Sequence, residues 1–516
     1  MSTVEHEHDA AIESHAASSA AAVVLRESAD VEAWRHPFLT TDHLLRFRRY
    51  SAQVWSFAAE HYRRSSTSPL RCAFAVNMAQ SMYKWARLSE RYGCDATVYL
   101  HPMDGTALSR PEWEEFDGEC ADLLDAEPFL AAHPNLPVEV PCRTTAMDGA
   151  ELLMAQHQFN QGHRGPLLKL LAESPGLRHE AITHHAGVYP YFEWARELSG
   201  YDCVYAASAP IAAYLSNRPY SIFAVGGDLQ HDCGRDTDYG RAMCLAFNAA
   251  RFIMVSNPHA LGHSRRLGFT NGVYMPYPMD DDRYAPGVGH ARASWEAQAG
   301  RGVFVLTTCR IDSQVKGYGE PMFRTLFEVA RQRPEIRFVL LAWGAHAERL
   351  RQLTSAADVA KQFLILPPVG KRRLIDYYRS CDVVLDQLVY GYYGATALEA
   401  AAVGKPIVMH QRTEHYAPLY ENDLAPVVNV RTPDEVAAAL KRLTDDSALR
   451  AELCKESRAW LVRNHGQQRA MPILMALLRL TADRVPLPPD LDNPLCDEYS
   501  AEELNYHAAC MTTRAA

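Results

Sequence analysis

Two series of short apolar runs, each alternating with helical segments, constrain this chain more than any other feature. In the first, residues 71–76 (RCAFAV) read as a strand, a turn follows over 77–81, a helix runs to about Arg91 and Gly93 ends it. Residues 96–100 then supply another strand. Strand, turn, helix and strand in close succession form the unit of a parallel α/β sheet. Apolar runs at 203–207, 221–225 and 252–255 fit further buried parallel strands. The second series follows the Pro- and Asp-rich stretch 276–286. Runs at 302–308 (GVFVLTT), 336–342 (IRFVLLA), 363–366, 382–385 and 406–409 alternate with helical segments at 322–333, 372–379 and 395–403. Helices at 434–443, 447–463 and 469–484 close it. Each series predicts a doubly wound domain, and two in a row leave a cleft between the carboxyl ends of their sheets, where open α/β folds bind ligands.

At 516 residues the chain is too long for one core. The spacing predicts a tail and amphipathic helix over 1–69, a first α/β domain over 70–290, a second over 291–465, and a final helix with an acidic tail over 466–516. The first thirty residues read as a flexible tail without the basic start and apolar run of a signal peptide. Over 41–64, Leu44, Phe47, Val54 and Trp55 interleave with Arg46, Arg48, Arg49, Arg63 and Arg64. Such a helix can lie on an anionic membrane; packing on the domain surface is the commoner fate of the pattern and is expected here. Residues 103–165, rich in acids and prolines, read as an insertion or loop-rich subdomain, and the tail after Pro486 as a segment without a core of its own. No stretch approaches the ~20 apolar residues that span a bilayer. A formal charge of −10 argues against a general nucleic-acid binder. The twelve cysteines show no C-x-x-C spacing, so neither a zinc cage nor a disulfide framework is suggested. A cytoplasmic setting, at most peripheral to the inner face of the membrane, is the simplest reading.

Residues 386–406 (DQLVYGYYGATALEAAAVGKP) are the most informative stretch. Gly394 precedes a helix that starts near Ala395 or Thr396 and ends at Gly404, a left-handed cap with Pro406 beyond it. The free N–H groups around Ala395, Thr396 and Ala397 form, with the helix dipole, a site for an anion such as a diphosphate. Glu399 lies one turn further in, where its carboxylate can accept hydrogen bonds from two ribose hydroxyls; alone, it is an ordinary surface glutamate. The second element is RIDSQVKG over 310–317, following GVFVLTT. Arg310 and Lys316 can bracket a diphosphate and neutralise charge building on a leaving group; alone, they are solvated loop charges. The two elements in one domain are more specific than either. No G-x-G-x-x-G follows the first strand, which argues against a dehydrogenase.

On these residues, the segment 302–404 resembles the donor-binding domain of GT-B glycosyltransferases, particularly the retaining family 4 (group 1). The motifs there are R-x(4–6)-K-G after the first strand and E-x7-E ending in E-A-x-A-x-G-x-P; Arg310, Lys316, Gly317, Gly394, Glu399, Ala400, Gly404 and Pro406 match. The resemblance implies that Arg310 and Lys316 hold the diphosphate, that Glu399 holds the ribose, and that loops at Trp343-Gly344 and Leu366-Pro367 border the base. In the first half the likeness is looser: Asn77 and the turn after it stand where the family's Gly-rich turn meets the donor, and residues 226–229 resemble its H-G-x-D loop. There are two departures. The first glutamate of E-x7-E falls at Gly391, which leaves Asp386 and Gln387 as candidates to contact the transferred sugar. The family's cleft histidine would fall within 206–209, where there is none. Asp228, with His231 close behind, is then the candidate to line the cleft near an acceptor hydroxyl, as base or orienting group; His184 and His185 are weaker candidates.

The expectation is an α/β protein of two Rossmann-like doubly wound domains facing a cleft (GT-B), with an N-terminal helical extension. The first domain lies on the acceptor side and the second binds the nucleotide-sugar. The reaction expected is transfer of a hexosyl or pentosyl group from a nucleoside-diphosphate sugar to an unidentified acceptor. Retention is implied by the resemblance alone. No metal or other cofactor is expected, because fixed cations can replace a divalent ion at the diphosphate. Two rivals stay open: a catalytically silent GT-B protein, with Gly391 marking the lost glutamate, and a GT-B sugar-nucleotide epimerase, which needs no acceptor. A membrane-borne acceptor is favoured only if the basic helix proves exposed.

Overall fold

The computed structural model describes residues 36–65, 68–101, 105–120, 122–144, 150–184 and 186–512; the tail read over the first thirty residues lies outside them. The first sheet is built from β1 (Leu70–Ala75), β2 (Cys94–Leu100), β3 (Cys142–Thr144), β4 (Cys203–Ala206), β5 (Tyr220–Phe223), β6 (Ile253–Val255) and β7 (Gly272–Tyr274). The second is built from β8 (Val303–Thr307), β9 (Ile336–Leu341), β10 (Phe363–Leu366), β11 (Val383–Leu385), β12 (Ile407–Met409) and β13 (Val428–Asn429). All pairings in both are parallel, in the orders β3-β2-β1-β4-β5-β6-β7 and β10-β9-β8-β11-β12-β13. In each sheet the order reverses beside the first strand of the series, between β1 and β4 and between β8 and β11. Loops leaving those strand ends part to opposite faces and open a crevice. Phe74, Tyr205, Ile222, Leu306, Val339 and Val384 are buried, because helices cover both faces of each sheet. The doubly wound, two-domain α/β architecture expected from the sequence is the observed one. The strands β3, β7 and β13, of two or three residues each, were not read from the sequence.

The helix Thr41–Arg64 starts at a Thr40 cap and buries Leu44, Phe47, Tyr50, Val54 and Trp55. That face packs on the helix Gln467–Ala482 and on β7, with the Trp55 indole N–H donating to the Tyr274 carbonyl at 2.9 Å. Its apolar side therefore faces protein. Among the described residues no helix is long and apolar enough to cross a membrane. The acidic tail departs from expectation. It has no core of its own, but it docks on the first domain, where Leu495 is buried over Gly272. Arg265 and Glu503 form a buried pair at 2.8 Å, and Arg46 meets Asp492 and Asp497 at 2.6 Å each. Composition shows the acids but not the arginines waiting for them.

Two further features position the cleft. The chain crosses between the domains twice, through residues 275–290 and back at 465–467, after which Thr481 bonds Ser221 at 2.9 Å. The crossings run side by side: Met279 bridges Gly466, and its N–H donates to the His465 carbonyl at 2.9 Å. The insertion after β2 has its own small core of Trp113, Phe116, Leu123 and Phe129. It reaches the second domain, with Glu119 bridging Val369 in antiparallel fashion.

Candidate functional site

A cavity of about 910 Å³ lies between the domains, at the carboxyl ends of both sheets. Arg310, Lys316, Asp386, Gly394, Ala395, Thr396 and Glu399 line it from the second domain. The loop after β8 is shaped by Asp312, whose carboxylate accepts from the N–H groups of Val315 at 2.8 Å and Lys316 at 3.3 Å and from Arg310 Nε at 2.7 Å. Burial opposes ionisation of Asp312, but these donors outweigh it and hold its pKa below the ordinary value. Gly317 (φ +82°) makes the left-handed turn that ends the loop. Gly344 (φ +99°) lies behind it, where a Cβ would come 2.5 Å from Arg310 Cγ. Gly317, Gly344, Leu366 and Gln387 are thus not among the lining residues; they hold those that are. Gln387 is fully buried and accepts from Lys316 Nζ at 2.8 Å, aiming the ammonium. The Leu366 carbonyl accepts from Ala342 N–H at 2.9 Å, and Pro368 and Val369 beyond it reach the cavity.

The helix Ala395–Val403 begins at Gly394 without a side-chain cap and ends at Gly404 in the left-handed region. Its first N–H groups border the cavity with Arg310 and Lys316, an arrangement suited to adjacent phosphates. Asp386, 1% exposed, stands at the β8/β11 switch, and neither of its carboxylate oxygens has a partner in hydrogen-bonding geometry. Burial pushes its pKa up, against Lys316 and the Gln387 and Ala397 amides.

Glu399 forms the floor. Lys371 Nζ lies 2.6 Å away, Lys84 Nζ 3.7 Å, and the hydroxyls of Tyr284 and Tyr378 donate to it at 3.3 Å. Burial alone would raise its pKa; Lys371 and Lys84 outweigh that and keep it low and ionised. Behind it, Arg87 binds Glu115 at 3.1 Å and Asp280 at 2.9 Å, and Glu115 also binds Arg283 at 3.2 Å and Arg372 at 2.9 Å. Both domains, the insertion and the first crossing meet in this one charge network. Sequence reasoning missed Lys84, Lys371 and Glu115. The basic run Lys371-Arg372-Arg373 and the acidic 112–115 are complementary in sequence, but nothing local pairs them.

Two residues expected at the cleft brace its first-domain wall instead. Asp228 does not line the cavity. Its carboxylate turns inward and accepts from the N–H groups of Leu229 at 2.8 Å, Gly226 at 3.0 Å and Val225 at 3.3 Å, and burial raises its pKa to about 6. Of the groups it bonds, Val225 and Gly226 do line the cavity, as do Gly227, Gln230 and His231 beside them. Asn77 is fully buried, donating to the Ser109 carbonyl at 2.8 Å and accepting from Tyr83 N–H at 2.9 Å. Ala79 and Gln80, both left-handed, face the cavity after it. His185 and the side chain of His184 lie outside the described residues. At Gly391 (φ +77°) a Cβ would meet His410 Cδ2 and Arg412 Cγ at 2.7 Å each, so the space of the absent glutamate is filled.

This architecture matches that of the Anabaena protein HepE in complex with UDP and glucose, at 13% identity and a TM-score of 0.53 over 81% of this chain and 100% of that one. It also matches sucrose-phosphate synthase from Thermosynechococcus elongatus, at 16% identity and a TM-score of 0.52 over 80% of this chain and 99% of that one. The likeness is one of fold: two facing Rossmann-like domains, GT-B. The second domain adds a match in sequence. Residues 322–460 match the family of glycosyl transferases group 1. The D-inositol 3-phosphate glycosyltransferase of Acidothermus cellulolyticus is 30% identical over 137 residues, 27% of this chain and 30% of that protein. Its counterpart from Kineococcus radiotolerans is 28% identical over 202 residues, 35% of this chain and 45% of that protein. The chain thus spans less than half the length of these curated relatives. The chain has the GT-B fold, and within its second domain residues 322–460 match the group 1 glycosyl transferases, as the residues around Glu399 suggested.

Proposed function

We propose that this chain is a glycosyltransferase that moves a hexosyl or pentosyl group from a nucleoside-diphosphate sugar to an acceptor hydroxyl. The observation that carries the reading is the convergence of Arg310, Lys316 and the uncapped helix start on one interdomain cavity. As the bond between anomeric carbon and phosphate breaks, charge grows on the departing diphosphate, and these fixed donors stabilise it without a metal ion. Glu399, held ionised on the floor, supports a ribose contact, and Asp386, buried on the cavity wall, supports one with the sugar. Enclosure between the domains excludes water and aligns the acceptor. Retention rests on the resemblance of the motifs alone. The buried apolar side of the helix Thr41–Arg64 gives a membrane-borne acceptor no support.

HepE in complex with UDP and glucose makes UDP the first nucleotide to try. The test is calorimetric titration of UDP, GDP, ADP and TDP with a chelator present, on wild type, Arg310→Ala and Lys316→Ala. One nucleotide binding tightly, and about tenfold or more weaker in each variant, supports the donor site. Folded wild-type protein that binds none of the four overturns it. Gly391 favours one second reading, a nucleotide-sugar binder without transfer, and release of free nucleotide only when an acceptor is supplied excludes that reading.

A further inference from the structure

Part of the cavity wall comes from the insertion of the opposite domain. Leu108, Trp113 and Leu123, which follow β2 in the first domain, line the same cavity as Arg310 and Lys316. Trp343 of the second domain also lines it and packs on the small core to which Trp113 and Leu123 belong. The Trp343 ring is fixed, its indole N–H donating to the Thr308 carbonyl at 3.0 Å.

The strap formed by residues 105–120 and 122–133 is fastened to the second domain by three backbone hydrogen bonds: Cys120 to Pro368 at 2.8 Å, Gly370 to Gly118 at 2.9 Å and Arg372 to Phe116 at 3.1 Å. Two ion pairs add to them, Arg372–Glu115 at 2.9 Å and Arg373–Asp117 at 3.2 Å. A Cβ at Gly370 would fall on the Phe116 carbonyl, so glycine permits the close approach. The cationic part of the cavity suits phosphates. The part lined by the half-buried Trp343 and Leu108, with Trp113 and Leu123 buried behind them, suits a flat, weakly polar ring, which gains from stacking and from leaving water.

We propose that the strap is the nucleobase-reading wall of the donor site. Leu108, Trp113 and Leu123 enclose the base with Trp343, so that base selection and docking of the strap onto the second domain are one event. This rests on the donor-site reading above and names the part of the donor that the strap recognises. Whatever binds only the docked form favours docking by the same factor, whereas bare pyrophosphate needs only the cationic end.

The test uses the full chain as wild type, as Leu123→Ala, and as Arg372→Ala/Arg373→Ala, which loosens the strap by removing its two ion pairs without touching its core. Each is titrated with the preferred nucleoside diphosphate, the other three, and pyrophosphate. The expected result is about a tenfold loss for the preferred nucleotide in both variants, with a narrowed preference among the bases and a pyrophosphate affinity within about twofold of wild type. Amide exchange at Cys120, Gly370 and Arg372 slows when nucleotide is added to wild type. Unchanged nucleotide affinity and preference in both variants overturns the proposal, as does a parallel loss for pyrophosphate. Wild type that binds no nucleotide refutes the donor site itself, a distinguishable failure.

Discussion

Gly391 stands where the matching motif has a glutamate, and Asp386, not Gly391, lines the cavity. The backbone at Gly391 is left-handed and its surroundings are full, so Gly391→Glu does not restore a sugar contact. It is expected to cost roughly 2 kcal/mol or more, read as a lowered Tm. Asp386→Asn replaces a buried carboxyl with an uncharged group of the same shape. Stability is expected to hold or rise, while kcat/KM with the sugar nucleotide falls about tenfold or more and binding of the bare nucleotide stays within about twofold. Equal losses for both ligands would move Asp386 to the phosphate end. Arg310, Lys316 and Glu399 were legible because their places follow from a strand end or a helix start. Asp228 and Asn77 were misread because short polar side chains in turns turn to backbone groups packed around them, and sequence does not say which way they point.

Individual elements follow the same rule: those stabilised locally were readable, those stabilised by a distant partner were not. The helix Ala395–Val403 has the bounds its Gly394 and Gly404 flanks predicted. The tail gave no sign of docking because its anchor is Arg265, far away in sequence. Burial opposes ionisation of Glu503, but Arg265 and the Ser500 N–H outweigh it and hold the carboxyl at about 2, below its ordinary 4.5. A depressed carboxyl stabilises the docked state fully above pH 4.5, and that contribution fades as pH falls toward 2. The protection of amides over 495–508, taken relative to their intrinsic exchange rate at each pH, is expected to fall across that window in wild type. In Glu503→Gln that protection is low throughout and flat with pH.

For the whole molecule, the contacts between the halves set the response to acid. Burial lowers the pKa of His259 to about 3 and of His465 to about 4. His259 bonds the hydroxyl of Tyr390 across the cleft at 2.6 Å, and His465 bonds that of Tyr420 at 2.8 Å beside the crossings. Both stay neutral in the folded state, so the unfolded chain takes up protons that the folded one refuses as pH drops below 6.5. Stability is full above that value and falls toward pH 4, by up to about 1.4 kcal/mol per pH unit for each histidine. Urea unfolding at pH 7, 6 and 5 checks this, and His465→Gln is expected to flatten the dependence. Two doubly wound halves were readable from the alternation of runs. The strap and the double crossing were not, because each joins segments that have no common period and meet only after both halves have formed.

The paired crossings at Met279 and Gly466 also decide how the molecule can come apart. One linker would let the halves swivel in any direction. Two, bonded along a shared line, form a single spine, and it sets Arg310 and Gly226 on facing walls of one cavity like the facing pages of a book. A protease that cuts the first crossing leaves the book bound by the second.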